Sequence, residues 1–193
     1  FDILGEFITS PDEAEKNKTE YLGLIDETQR SGINGNYSLK PTSFGLLIDK
    51  EVCYRHIREI VARAAGYGSF CRIDMEDSPC TDLEIELYRR LHSEFPANVG
   101  LVIQAYLRRT YNDLSELIKL NTPETPVNFR LCKGIYVESP SIAFRKHDEI
   151  NMHYLEDLEL LLSNGIYVGI ATHDKFLVDG ALELIKKYNV PSN

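Results

Sequence analysis

The sequence predicts an α/β fold of parallel strands alternating with helices, arranged as a (βα)8 barrel of which about six βα units lie in this chain. Apolar or β-rich runs occupy residues 2–7, 37–40, 70–75, 100–106, 128–131 and 167–172, and their starts are 28 to 39 residues apart. The stretches between them carry helical periodicity. A doubly wound sheet satisfies both observations as well as a barrel does. The third observation favours the barrel: every run ends in an ionisable or amide side chain, where barrel strands converge on a ligand.

After the first run, Ser10-Pro11-Asp12-Glu13 reads as a helix start, with serine capping, proline at the first helical position and Glu13 completing a capping box. This helix is expected to stop near Gly32, with Asn34-Gly35 as turn chemistry. A second helix sets Ile57, Ile60, Val61 and Ala64 on one face and ends at Gly66. A third starts near Thr81, with Glu84 three residues on, and buries Leu83, Leu87 and Leu91. The fourth follows Thr110 and buries Leu114, Leu117 and Ile118. The fifth begins at Ile142 or Asp148 and runs to Asn164, burying Ile150, Tyr154, Leu158, Leu161 and Leu162. The sixth follows Asp174 and buries Leu177, Ala181, Leu184 and Ile185. The chain closes at Pro191-Ser192-Asn193 just after a helix, so units seven and eight are expected outside it. Residues 1–193 are read as one barrel domain, opening without a methionine inside an apolar run, as a portion of something longer would.

Composition narrows the function. Hydrophobic residues make up 43% and charged residues 26%, the proportions of a soluble globular domain. A net charge of −9 argues against a nucleic-acid partner, which needs a basic surface. Cys53, Cys71, Cys80 and Cys132 are scattered and read as reduced thiols of a cytoplasmic protein. No apolar run is long enough to span a membrane, and no signal or transit peptide is recognisable.

The strand-end side chains carry the chemistry. In chain order they are Glu6; Lys40; Asp74 with Glu76 and Asp77; Gln104; Arg130 and Lys133; and Thr172, His173 and Asp174. Arg72, Asp74 and Glu76 alternate on one strand face, which an ion-pair layer would also explain. Gln104 interrupts an apolar run, so its amide needs a specific partner. Arg130-Leu131-Cys132-Lys133-Gly134 is the densest signal: two cations and a glycine after a buried strand suit a phosphate or an electron-rich ring approached closely by backbone. Several alternatives fail. Gly66-Tyr67-Gly68 precedes a strand instead of following one, no P-loop or G-x-S-x-G occurs, and His147 and His153 are spaced wrongly for metal ligands on one helix face. The residues alone lead to a barrel enzyme with an acidic–basic pocket for a phosphate-bearing cofactor and no metal.

In order, Asp2-Ile3-Leu4-Gly5-Glu6, Ser38-Leu39-Lys40-Pro41-Thr42, Arg72-Ile73-Asp74-Met75-Glu76-Asp77-Ser78, Val102-Ile103-Gln104-Ala105-Tyr106, Arg130-Leu131-Cys132-Lys133-Gly134-Ile135-Tyr136 and Ala171-Thr172-His173-Asp174 resemble the strand-end motifs of the proline dehydrogenase family, most closely its monofunctional bacterial form. The likeness covers essentially the whole chain. One departure is Cys132, where the family usually has valine.

The resemblance implies a distorted TIM-type barrel that binds FAD non-covalently and oxidises L-proline to Δ1-pyrroline-5-carboxylate, passing electrons to a quinone. It implies that Arg130 lies near flavin N5 and stabilises negative charge on the reduced ring. Lys133, Gly134 and Ile135 would hold the ribityl–pyrophosphate side, Gln104 and Met75 the ring, and Thr172 and His173 further parts of the cofactor. Lys40 would pair with the proline carboxylate, Glu6 would support substrate-binding arginines, and Leu131 and Tyr136 would line the proline pocket. Asp74 would stand near flavin and substrate, as a base or as an orienting group. Proline must lose its ammonium proton before hydride leaves C5 for flavin N5, because a cation is a poor hydride donor. A related imino acid such as hydroxyproline is the alternative substrate, and a non-catalytic binding barrel the alternative class. The family further implies peripheral contact with the inner membrane and a pyrroline-5-carboxylate dehydrogenase as partner or fused domain.

The family's final helix supplies an adjacent arginine pair for the proline carboxylate and a tyrosine that packs on the substrate. This chain has neither; its adjacent arginines are Arg89-Arg90 and Arg108-Arg109, which do not match. Purified alone, these 193 residues are therefore expected to turn over L-proline very little in an assay with an artificial electron acceptor. Robust turnover would refute that expectation.

Overall fold

Helices and strands alternate along the chain: Pro11–Arg30 (α1), Asn36–Leu39 (β1), Lys50–Gly66 (α2), Phe70–Ile73 (β2), Thr81–Glu94 (α3), Val99–Gln104 (β3), Thr110–Leu117 (α4), Asn128–Cys132 (β4), His147–Ser163 (α5), Tyr167–Ile170 (β5) and Lys175–Lys187 (α6). The computed structural model describes residues 1–3 and 5–191. It divides into two units, Phe1–Leu101 and Val102–Asn193, with the boundary inside β3.

In the first unit β1 pairs with β2 in parallel, placing Ser38 opposite Arg72 and Leu39 opposite Ile73. Parallel pairing continues from β2 to β3, with Ile73 opposite Leu101. Parallel neighbours need a helical crossover, and α2 and α3 supply them. The capping box of α1 forms in full, with the Ser10 side chain accepting from the backbone and Glu13 reaching back. Tyr21 of α1 then fastens the helix to the sheet, its hydroxyl donating to Ser38 O at 2.6 Å and accepting the Ile3 N–H at 3.0 Å. On α2 the expected face is fully buried, with Ile57, Ile60, Val61 and Ala64 all inaccessible. On α3 Leu87 and Leu91 are buried while Leu83 is only partly covered; Glu84 and Tyr88 go inside as well.

In the second unit β4 and β5 pair in parallel, with Arg130 opposite Gly169. The chain leaving β3 runs on beside the end of β4 through Ala105 N–H to Cys132 O and Tyr106 N–H to Lys133 O, both 2.9 Å. Leu114 and Leu117 of α4 are buried, whereas Ile118 is half-buried because the helix tightens there into a 3₁₀ turn. The fifth helix begins at His147, near the later of its two expected starts, and buries Tyr154, Leu158, Leu161 and Leu162 but only partly covers Ile150. Leu177 and Ala181 are the buried positions of α6; Leu184 and Ile185 are half-buried.

The first apolar run departs from expectation. No strand forms among the described residues of 2–7, and Leu4 lies outside them. The chain begins parallel to β1, with Ser38 N–H donating to Phe1 O and Asp2 bridging Ser38. It then leaves the ladder, because Gly5 (φ 149°) and Phe7 (φ 54°) both take positive φ. Five strands are therefore described where six were expected.

Asp157 of α5 is buried with Oδ2 lacking a hydrogen-bond partner. Burial, with the neighbouring Glu156 carboxylate, pushes its pKa up to about 8. The native state thus holds a proton that the unfolded chain, with a carboxyl near pKa ~3.9, gives up. Stability is expected to fall as pH rises from about 4 to about 8 and Asp157→Asn to flatten that slope, as read from urea midpoints across the range.

Candidate active site

Lys40 stands at the end of β1, where Pro41 confines it to extended backbone with φ −92° and ψ 111°. Its ammonium lies 2.5 Å from Asp2 Oδ2, 3.5 Å from Glu6 Oε1 and 4.0 Å from Asp74 Oδ2. Only 14% of the lysine side chain is exposed. Burial opposes its charge, but the hydrogen bond with Asp2 and the fields of Asp74 and Glu6 outweigh that and raise its pKa. Three carboxylates thus lie around this one ammonium. Asp74 arrives from the end of β2, where its N–H donates to Leu39 O at 2.9 Å. Met75 follows it into the interior, and Glu76 is fully buried.

This arrangement suits a zwitterion. A permanently charged ammonium can take an incoming carboxylate, while the surplus of carboxylates favours a nearby positive charge. Of the residues expected to bind substrate or act on it, the structure brings Lys40, Glu6 and Asp74 together. Asp2 was missed, because an ion pair 38 positions apart leaves no local pattern to read.

A second charged cluster lies in the second unit. Lys133 Nζ lies 2.6 Å from Asp174 Oδ2 and 3.0 Å from His147 Nε2. Asn151 Nδ2 also donates to that carboxylate oxygen, at 3.2 Å. Asp174 Oδ1 meanwhile accepts the Phe176 N–H at 3.0 Å, which caps α6. The Lys133 ammonium, with Asn151 and the helix N–H, holds the Asp174 carboxyl well below the usual carboxylate range. Thr172 Oγ1 accepts the Asp174 N–H at 3.1 Å and so shapes the turn into the helix, while His173 is exposed.

The glycine after Lys133 has a specific cause. Gly134 takes φ +107°, and a Cβ there would fall 2.2 Å from Cδ1 of the Tyr106 ring. The Tyr106 ring is thus packed against this glycine, a neighbour the sequence did not reveal. Ile135 is strongly exposed and Tyr136 half-buried. Arg130 is half-buried on β4 opposite Gly169, where a Cβ would make ordinary contact with the arginine Cβ and Cγ at 3.6 Å. Leu131 is fully buried, and its carbonyl accepts from the Tyr154 hydroxyl and the Ala171 N–H, both at 2.9 Å. Gln104 is buried, with its backbone carbonyl accepting from the Thr110 hydroxyl at 2.6 Å. Of the adjacent arginines, Arg90 pairs with Glu51, Arg108 donates to Pro140 O and Arg109 pairs with Asp113.

The proline dehydrogenase family profile matches residues 1–193. The chain belongs to the proline dehydrogenase family. It is 33% identical over 192 residues to proline dehydrogenase 1 of Bacillus subtilis, covering 100% of this chain and 62% of that protein. With the proline dehydrogenase of Deinococcus radiodurans it shares 32% over 193 residues, covering 98% of this chain and 61% of that one. The chain thus spans about three-fifths of the length of these curated relatives. Proline utilization A of Bdellovibrio bacteriovorus, solved after inactivation by N-propargylglycine, matches with a TM-score of 0.90 and 25% identity over 98% of this chain and 24% of its own. No helix among the described residues of this proline dehydrogenase family member is long and apolar enough to cross a membrane.

Gly134 and Gly165 both take positive φ, but only Gly134 has a neighbour where a Cβ would go. Gly165→Ala is expected to cost on the order of 1–2 kcal/mol, the backbone strain alone. Gly134→Ala is expected to cost more, measured as the difference in denaturation midpoint between the two variants.

Proposed function

We propose that this chain is most of the flavin-binding barrel of a proline dehydrogenase of the monofunctional bacterial type. Its reaction is FAD-dependent oxidation of L-proline to Δ1-pyrroline-5-carboxylate with electrons passed to a quinone, the first step of proline catabolism. The carrying observation is Lys40 among Asp2, Glu6 and Asp74. Proline is a zwitterion, and Lys40 takes its carboxylate while the acidic neighbours face its positive end. Fixing the carboxylate fixes the ring, so the bond to be broken is presented in one orientation. Asp74, beside the lysine, orients the substrate amine or receives its proton. Glu6 holds the substrate-side cations supplied by the rest of the enzyme.

The donor set of the second unit fits a phosphate-bearing flavin. Lys133 offers a cation, Gly134 a stretch of backbone without a side chain, and Arg130 a half-buried guanidinium that suits an electron-rich ring. Lys133, Gly134 and Ile135 would hold the pyrophosphate side, Gln104 and Arg130 the ring, and Thr172 and His173 the remainder. When bound, FAD supplies the acceptor for the hydride that proline loses. Closure into a full (βα)8 barrel, a quinone acceptor reached by peripheral contact with the inner membrane, and a separate pyrroline-5-carboxylate dehydrogenase complete the proposal.

Anaerobic addition of L-proline to the holoenzyme is expected to bleach the visible flavin band, more strongly than hydroxyproline does. Lys40→Met is expected to raise the KM for proline at least about ten-fold, the loss of one charge-assisted contact, with flavin content unchanged. A yellow protein that proline leaves unbleached would overturn the substrate, and flavin lost from Lys40→Met would overturn the role of the lysine.

A further inference from the structure

Glu76 is two residues beyond Asp74, and none of its surface is exposed. A carboxylate in that position is costly unless donors meet its oxygens. One residue meets both. The Thr42 N–H donates to Oε2 at 2.8 Å and the Thr42 hydroxyl to Oε1 at 2.6 Å. The same hydroxyl accepts the Phe7 N–H at 3.0 Å. Thr42 sits in the 3₁₀ turn Pro41–Phe44 immediately after Lys40, and Phe7 immediately follows Glu6. A single buried carboxylate at the end of β2 therefore ties down two neighbouring segments, one bearing the lysine and the other a carboxylate of its cluster.

A second acid shares the site. Glu84 of α3 is equally buried, and its Oε1 accepts the Glu76 N–H at 2.9 Å, while its Oε2 has no partner. Two carboxyls this close in the interior do not both ionise. Glu76 receives two donors on its oxygens and Glu84 one, so the charge belongs on Glu76 and the proton on Glu84. Burial raises both groups, Glu84 well above the usual range. A neutral Glu84 keeps the second charge out of the interior and leaves Glu76 free to act as a charged acceptor for Thr42.

We propose that Glu76 is a positioning residue for substrate binding, acting through Thr42 to set Lys40 against Glu6. This rests on the reading of Lys40 as the clamp for the substrate carboxylate. Glu76 touches neither substrate nor cofactor in this role. Its loss moves the lysine and its partner apart and weakens capture of the carboxylate, while the step after capture keeps its rate.

The test uses the holoenzyme with four single variants, Lys40→Met, Glu76→Gln, Thr42→Val and Thr42→Ser, and one double variant. Glu76→Gln and Thr42→Val are each expected to raise the KM for L-proline about ten-fold or more, with kcat within about three-fold and flavin content unchanged. Thr42→Ser keeps the hydroxyl and is expected to restore KM. Combining Glu76→Gln with Thr42→Val is expected to add little, because both break one link. A lowered melting temperature with unchanged KM in Glu76→Gln and Thr42→Val would make Glu76 a structural anchor only and overturn the proposal. Should Glu76→Gln fail to fold, the valine–serine pair at Thr42 decides: equal KM in the two overturns it. If Lys40→Met leaves KM unchanged, the clamp reading itself fails; if only Lys40→Met raises KM, the clamp stands and the positioning role falls.

Discussion

The ammonium of Lys40 is what lets three acids gather where the first two strands end. Without it, Asp2, Glu6 and Asp74 would repel one another, and the opening segment would have little reason to stay beside the sheet. With it, a stretch that leaves the strand ladder after Asp2 is held beside the ends of β1 and β2. The fold meets this need by construction. Proline after the lysine fixes its backbone, parallel pairing brings Asp74 alongside, and the Asp74 N–H bound to Leu39 O sets the offset between the two strand ends. Burial and charge then work in opposite directions on the lysine, and the balance keeps it cationic.

The second unit solves a related problem with a different hierarchy. There one carboxylate, Asp174, serves a lysine, an asparagine, a histidine and a helix start together. The order of elements makes this feasible. The strand carrying Lys133 and the strand leading to Asp174 are neighbours in a parallel pair, so groups leaving their C-terminal ends fall side by side. The buried Leu131 and Tyr154 behind them fix β4 against α5 through a hydroxyl bound to a strand carbonyl, which limits how far the lysine-bearing end can drift.

Alternation, caps and buried faces were legible in the sequence because they are local. The Ser10–Glu13 box, the Ile57–Ile60–Val61–Ala64 face and the stop of α2 follow from spacing alone. The positions of Lys40 and Asp74 were legible too, since strand ends can be found once strands are. What could not be read depends on partners remote in the chain. Glu84 looked like the first-turn acid of a helix and instead lies inside, because the end of β2 needed an acceptor for the Glu76 N–H. The run at 2–7 has the composition of a strand, yet two positive φ values turn it away after Asp2. Gly134 was singled out for close backbone approach to a ligand, whereas the packing of Tyr106 against it emerges only when the end of β3 is laid beside the end of β4.

Asp174 divides its labour between its two oxygens, and that division has a mechanical consequence. Oδ1 ties off the start of α6 while Oδ2 holds Lys133. A lysine drawn toward an incoming anion would take nothing from the helix, whose cap uses the other oxygen, and the oxygen it leaves would still have the Asn151 amide. The end of β4 can thus exchange one electrostatic partner for another while the helix beside it stays wound, as a latch releases without disturbing its hinge.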